Sequence, residues 1–253
     1  MRTFLRCLKA DFRKTKHLPL RPAHLLTPVG TAVVFLIYYN RSAWNADMKI
    51  TAYYQVLGMA LPLLAGLFCA MLSEQELLAG GFQNMLSVPK RQAAFFSKLF
   101  LLLSFGLSAV LLASVLFGTG YFFWMGQKSV SWSFYWKAAF VLMGGSVFLY
   151  VLHLFLALRF NKGATIALGF AESLLSALFL TGMGERIWVY VPAAWASRFV
   201  TSFFAVNSRY DTMNAGAFSD LRMAVYLCVI WTIAALLAYG IWACRWDGRR
   251  GNE

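Results

Sequence analysis

The chain has 253 residues, 60% hydrophobic and 13% charged, with a net charge of +13. A soluble domain usually carries about twice that charged fraction, so the composition argues against a water-soluble enzyme, and the length suits about six membrane helices with short loops and no second soluble domain. The basic residues sit between apolar runs rather than in a stripe on a solvated fold, which points to a lipid bilayer as the anionic partner and excludes nucleic acid.

Residues 1–21 form a basic segment. Within it Phe4, Leu5, Leu8 and Phe12 recur at near-helical spacing, the pattern of a helix lying in the inner headgroup layer. A disordered basic tail is the other reading. Pro19 and Pro22 end the segment before the first span, about 22–40. That span is expected to be retained, because the segment before it is too long for a signal peptide and no small-x-small site follows Tyr39. A second span follows at about 51–73, and neighbouring helices can absorb the cost of Pro62 inside it.

The stretch from Ser73 to Arg91 starts acidic, with Glu74 and Glu76, and breaks at Gly80-Gly81. It then sets Phe82, Met85 and Leu86 at i, i+3, i+4 and stops at Pro89 before Lys90, Arg91 and Lys98. A helix of one to two turns with an apolar knob and charged flanks suits a groove on a partner protein. An amphipathic loop resting on lipid has the same periodicity.

Four further charge-poor runs give spans at about 99–125, 137–158, 163–183 and 223–244. Roughly 20 residues at 1.5 Å each cross a core of about 30 Å, and only helices satisfy their backbone internally over that length. Glu172 is the one acid inside a span, and His153 in the fourth span lies at a compatible depth to partner it. The pair reads either as a polar point on a substrate path or as a hydrogen bond between spans, with Ser173 or Ser176 nearby. The outer segment from Met183 to Asp220 carries Trp188, Tyr190, Pro192 and Trp195, an aromatic density typical of a headgroup boundary. Residues 209–218 read as a solvated loop. The cysteines (Cys7, Cys69, Cys228, Cys244) show no disulfide or metal spacing.

With both termini in the cytoplasm, the inner segments hold fifteen Lys and Arg residues and the outer segments eight. The bias is clearest in Arg2, Arg6, Lys9, Arg13, Lys14, Lys16 and Arg21, ahead of the first span. The expected fold class is all-α, a polytopic membrane protein with six transmembrane helices and an N-terminal interfacial helix.

The run from Glu74 to Lys98, with this plan, resembles permease subunits of type-2 ABC exporters, and most of all the group found in lantibiotic (bacteriocin) self-immunity systems. The matching features are an acid after the second span (Glu74 or Glu76), Gly81-Phe82-Gln83-Asn84-Met85-Leu86, and Pro89-Lys90-Arg91. The resemblance implies a single permease domain over 1–253 in the bacterial cytoplasmic membrane. It makes the segment between spans 2 and 3 a cytoplasmic coupling helix, with Glu74, Glu76, Phe82, Gln83, Met85, Leu86 and Arg91 as the residues seated on a nucleotide-binding ATPase subunit. It further implies a second six-span permease, the same or a similar chain, and a pair of short re-entrant helices between spans 5 and 6. Glu172, His153, Trp188 and Trp195 are then candidates for the path of an amphipathic or lipophilic substrate such as a lantibiotic-type peptide; an interfacial anchor without substrate contact is the plainer reading of the tryptophans.

No cofactor is expected in this chain. It has no Gly-x-x-x-x-Gly-Lys-Ser/Thr loop, and its nearest string, Gly126-Gln127-Lys128-Ser129, lacks the upstream glycine, so ATP would be bound by the partner subunit. An intramembrane enzyme needs two or more ionisable groups converging at depth, and the spans offer only Glu172 and His153. An ATP-independent secondary transporter would be favoured by an inverted repeat, and none is visible.

Overall fold

The computed structural model describes residues 2–185, 187–208 and 215–248. Among them the chain forms nine α-helices and no strand. They are α1 (Arg2–Lys14), α2 (Leu20–Arg41), α3 (Ala46–Leu78), α4 (Gln83–Leu86), α5 (Arg91–Thr119), α6 (Trp132–Arg159), α7 (Lys162–Leu178), α8 (Pro192–Asn207) and α9 (Ala215–Arg245). A π-helical turn, Gly120–Trp124, extends α5. The charge-poor runs become helices because a backbone without water must bond within its own segment.

Among the described residues five helices are long and apolar enough to cross a membrane: α2, α3, α5 with its π turn, α6 and α9. The sixth expected span is shorter than the interval 163–183 suggested. It ends at Leu178 after 17 residues, about 25 Å at 1.5 Å per residue. The chain then passes through two 3₁₀ turns, Gly182–Gly184 and Trp188–Tyr190, into α8. The expected pair of short helices here is one 16-residue helix. Of the loop expected over 209–218, residues 215–218 already belong to α9, and 209–214 lie outside the described residues.

The two ends of the bundle differ in chemistry. At one end an aromatic core gathers Tyr39, Tyr53, Tyr54, Phe117, Tyr121 and Tyr135. The other end holds the ion pairs among Lys14, Glu74, Glu76, Arg91, Lys98, Lys162 and Asp247. Because Lys14 and Asp247 share that charged end, α1 and the end of α9 lie on the same side of the bundle.

Small residues set the spacing of the central helices. Gly58 on α3 faces Ser197 on α8 so closely that a Cβ there would stand 2.5 Å from the Ser197 Cα. Gly58→Ala is therefore expected to force α3 and α8 apart, at about 1–3 kcal/mol. Gly30→Ala, with nothing within 4 Å of the new methyl, should be neutral or slightly stabilising. Thermal unfolding of the two variants in detergent checks this: the Gly58 variant should melt lower and the Gly30 variant should not. At Pro62, α3 runs on unbroken, and Ser173 Oγ on α7 accepts from the Leu63 N–H at 3.2 Å. That is the help from a neighbouring helix that an internal proline needs.

Candidate functional site

The segment joining α3 to α5 turns in three consecutive residues with positive φ: Gly80 (124°), Gly81 (57°) and Phe82 (70°). Glycine adopts these values freely, whereas Phe82 is the one described non-glycine residue that does so. Its side chain explains why the strain is tolerated. The ring is 1% exposed and packs edge-on against Trp246 at 5.1 Å, within a cluster that includes Phe95 and Trp242. Met85, one turn on, is also 1% exposed.

This placement corrects the expected docking knob. The i, i+3 spacing does put Phe82 and Met85 on one face, but the chain's own α5 and α9 cover that face. The outward side consists of Leu77, Leu78, Ala79, Gly80, Gly81, Gln83, Asn84, Ser87, Pro89 and Lys90. Leu78 is 80% exposed. Gln83 is thus presented, Leu86 is half-buried, and Arg91 is turned to the C-terminal end, donating to the Trp246 carbonyl at 3.2 Å and pairing with Asp247 at 2.8 Å.

The two acids separate. Glu74 forms an exposed pair with Lys162 at the start of α7, an arrangement worth little. Glu76 is buried with Asp11, Lys98 and the partly exposed Lys14. Lys98 Nζ donates to Asp11 Oδ1 and to Glu76 Oε1, both at 2.8 Å, while Lys14 Nζ donates to Glu76 Oε1 at 2.9 Å and Oε2 at 3.2 Å. Ser97 Oγ donates to Asp11 Oδ2 at 2.6 Å. Two ammonium groups face two carboxylates, so the cluster is neutral, as buried charge requires. It ties α1 to the end of α3 and the start of α5.

Sequence reading missed Asp11, Lys14 and Lys98 as members of this group. One signal was present: Asp11 is the only acid before Asp47, and at i+3 from Leu8 it falls on the apolar side of α1. That side packs on α5, with ring contacts Phe4–Phe100 and Phe12–Phe105. Cys7 lies beside it; burial first, and then Asp11's negative charge, push its thiol above the ordinary range, so it is no reactive thiolate.

Deeper in the bundle, the expected partnership of His153 and Glu172 is present. His153 Nε2 lies 2.8 Å from Glu172 Oε2, and Nδ1 lies 3.0 Å from Thr165 Oγ1, which donates on to the His153 carbonyl at 3.3 Å. All three side chains are buried, so both imidazole nitrogens are engaged between α6 and α7. Ser176 bonds Ser197 rather than Glu172.

Trp188 and Trp195 are not offered to a passing molecule. Trp195 is wholly buried with its Nε1–H on the Val189 carbonyl at 2.9 Å. Trp188 is buried under the Arg198 guanidinium at 5.6 Å. Arg198 in turn donates to the Phe179 carbonyl at 2.7 Å, closing the C-terminus of α7. Their aromatic character reads like a headgroup belt, yet α8 draws them into the interior. Among the described residues no group of three His, Cys, Asp or Glu side chains is arranged to hold a metal ion.

A family model for ABC-2 family transporter proteins matches residues 7–177. The chain belongs to that family. No curated protein and no solved structure matches it. The matched region of this ABC-2 protein runs from α1 to α7 and contains the 77–90 segment, the Asp11–Lys98–Glu76–Lys14 cluster and the His153–Glu172 pair. Members of the ABC-2 family are generally the membrane subunits of transporters rather than ATPases, and they normally work with an ATPase subunit. The apolar helices of this ABC-2 protein place it in a lipid bilayer as a multi-pass protein.

Proposed function

We propose that this ABC-2 protein is the permease subunit of an exporter, driven by a nucleotide-binding ATPase subunit seated on the outward side of the 77–90 segment. In this reading the charged end of the bundle faces the bacterial cytoplasm, both termini lie there, α1 rests in the inner headgroup layer, and α7 with the turns after it makes a sixth crossing. The functional unit contains a second six-span permease, the same or a similar chain. ATP stays on the partner. The cargo is an amphipathic or lipophilic molecule moved out of the membrane, and the sequence resemblance narrows it to a lantibiotic-type peptide.

The observation that carries the reading is the two-sidedness of the segment. Its inner side is clamped by Glu76, Phe82 and Met85 to α1, α5 and α9, while its outer side, from Leu77 to Lys90, is exposed. A push on the outer side would be carried into several membrane helices at once, as a rigid-body switch requires. Phe82 and Met85 are then the transmitting residues, and Leu78 takes the role of the knob.

Copurification in mild detergent tests the assignment. Wild type should retain an ATPase, and Leu78→Asp should retain roughly tenfold less, the scale of losing a central apolar anchor. Gln127→Asp, at the other end of the bundle, should retain as much as wild type. A wild type without ATPase, or a Leu78→Asp protein that keeps it fully, would refute the docking site.

A further inference from the structure

Helix α1 spends its apolar side within the protein. Phe4 meets Phe100 at 6.1 Å and Phe12 meets Phe105 at 5.6 Å, both on α5. Asp11 and Lys14 are committed as well, to Lys98 and Glu76. What remains on the outward side is basic. Arg2, Arg6, Lys9 and Arg13 recur at i, i+4, i+7 and i+11, and all four are exposed. At 3.6 residues per turn they form one stripe roughly 16 Å long, and the exposed Lys16 follows in a 3₁₀ turn. None of the five is in an ion pair among the described residues. Like charges one turn apart repel, and Asp11, the one acid of α1, is already spent.

The level of the stripe in a bilayer follows from α5. With its π turn that helix has 34 residues, roughly 50 Å at 1.5 Å each, against a hydrocarbon core of about 30 Å. Its ends therefore reach into the headgroup layers. Helix α1 crosses it near the end that begins at Arg91, where Asp11 is bonded by Ser97 and Lys98. Two exposed apolar side chains flank the crossing: Leu5 on α1, one turn from Arg2 and Lys9, and Phe100 on α5, against Phe4. A soluble acidic partner would leave them in water. A phospholipid covers them with acyl chain while its phosphate meets the cations.

We propose that the Arg2, Arg6, Lys9 and Arg13 stripe is a binding surface for the phosphates of anionic phospholipids. The attraction is one of charge. An amphipathic helix that buries its apolar face in the acyl boundary holds a bilayer through that face. Here that face lies on α5, so α1 selects lipids by headgroup charge and loses its selectivity in salt. Arginine suits the role, because its planar fork presents two N–H groups to one phosphate. The inference rests on the headgroup placement of α1 in the reading above, and uses neither the 77–90 segment nor the cargo.

The test places a photoreactive phenylalanine analogue in place of Leu5 in the full chain. The protein is held in vesicles of phosphatidylcholine with a minor share of phosphatidylglycerol, and mass spectrometry identifies the crosslinked lipid. At low salt phosphatidylglycerol should be enriched roughly fivefold over its share of the vesicle, about the effect of a single cation near the surface. Combining Arg2→Gln, Arg6→Gln, Lys9→Gln and Arg13→Gln should return the ratio to that of the vesicle. Salt at about 1 M, where the Debye length is about 3 Å, should do the same to the unsubstituted stripe. Lys128→Gln, at the other end of the bundle, should leave the enrichment unchanged. Crosslinking of the two lipids in their vesicle proportion at low salt, or enrichment that survives either the glutamines or the salt, would overturn the proposal while leaving α1 in the headgroup layer. A crosslink from position 5 to protein alone would overturn it together with that placement.

Discussion

Lys98→Met should destabilise the protein by about 3–5 kcal/mol, the scale of breaking a buried ion pair from one side. The Lys98 ammonium is the only group that touches both Asp11 and Glu76 in the cluster, and its side chain is 2% exposed. Removing it leaves the Asp11 carboxylate with the Ser97 hydroxyl and the Glu76 carboxylate with the partly exposed Lys14. The hydroxyl does not compensate a charge held away from water, and Lys14 alone is left to offset Glu76. Lys14→Met should cost much less, because that ammonium is about one-third exposed and screened. Asp11→Asn combined with Lys98→Met should recover part of the loss, since the charge left without a counter-ion is gone. Thermal unfolding in detergent reads the series. If Lys14→Met falls as far as Lys98→Met, the buried quartet is not what fastens α1 to the charged end.

The second large effect concerns Phe82. Phe82→Ala should cost about 3–5 kcal/mol, since a fully buried ring in contact with Trp246 is lost and the neighbours collapse only partly. Backbone geometry sharpens this prediction. At φ 70° an alanine keeps the strain of a left-handed residue and loses the burial that offset it. Phe82→Gly loses the same ring but relaxes the backbone, by about 1 kcal/mol or more. The glycine variant should therefore be the more stable of the two, the reverse of the order in an ordinary helix. The midpoints of thermal unfolding decide it. Alanine at or above glycine would mean that the turn Gly80-Gly81-Phe82 is not strained as described.

Much of this architecture was legible because membrane solvation writes a strong signal. Charge-poor runs bounded by Lys and Arg become helices wherever water is excluded, and the five longest helices coincide with five of the expected spans. The His153–Glu172 pair was legible because a charge at depth must find a partner. The side on which a short amphipathic turn is covered was not legible. Spacing places Phe82 and Met85 on one face but says nothing about what lies against it, and here the cover is Trp246, more than 160 residues away in sequence. The tryptophans misled for a related reason. Trp188 and Trp195 carry the composition of a headgroup belt, yet Gly58, Gly145 and Ser197 let α8 approach α3 and α6 so closely that both indoles are drawn inside. The shortness of α7 was hidden because the apolar run continues to Met183 after the helix has stopped at Leu178.

Site-specific crosslinking tests the central claim most directly. A photoreactive phenylalanine analogue is placed at position 78 and, separately, at position 82 of the full chain in membranes, and the crosslinked product is sized and sequenced. The account predicts a crosslink from position 78 to an ATPase subunit, and from position 82 only to this chain's own C-terminal end, around Trp246. A crosslink from position 82 to another protein, or from position 78 to lipid alone, would contradict it.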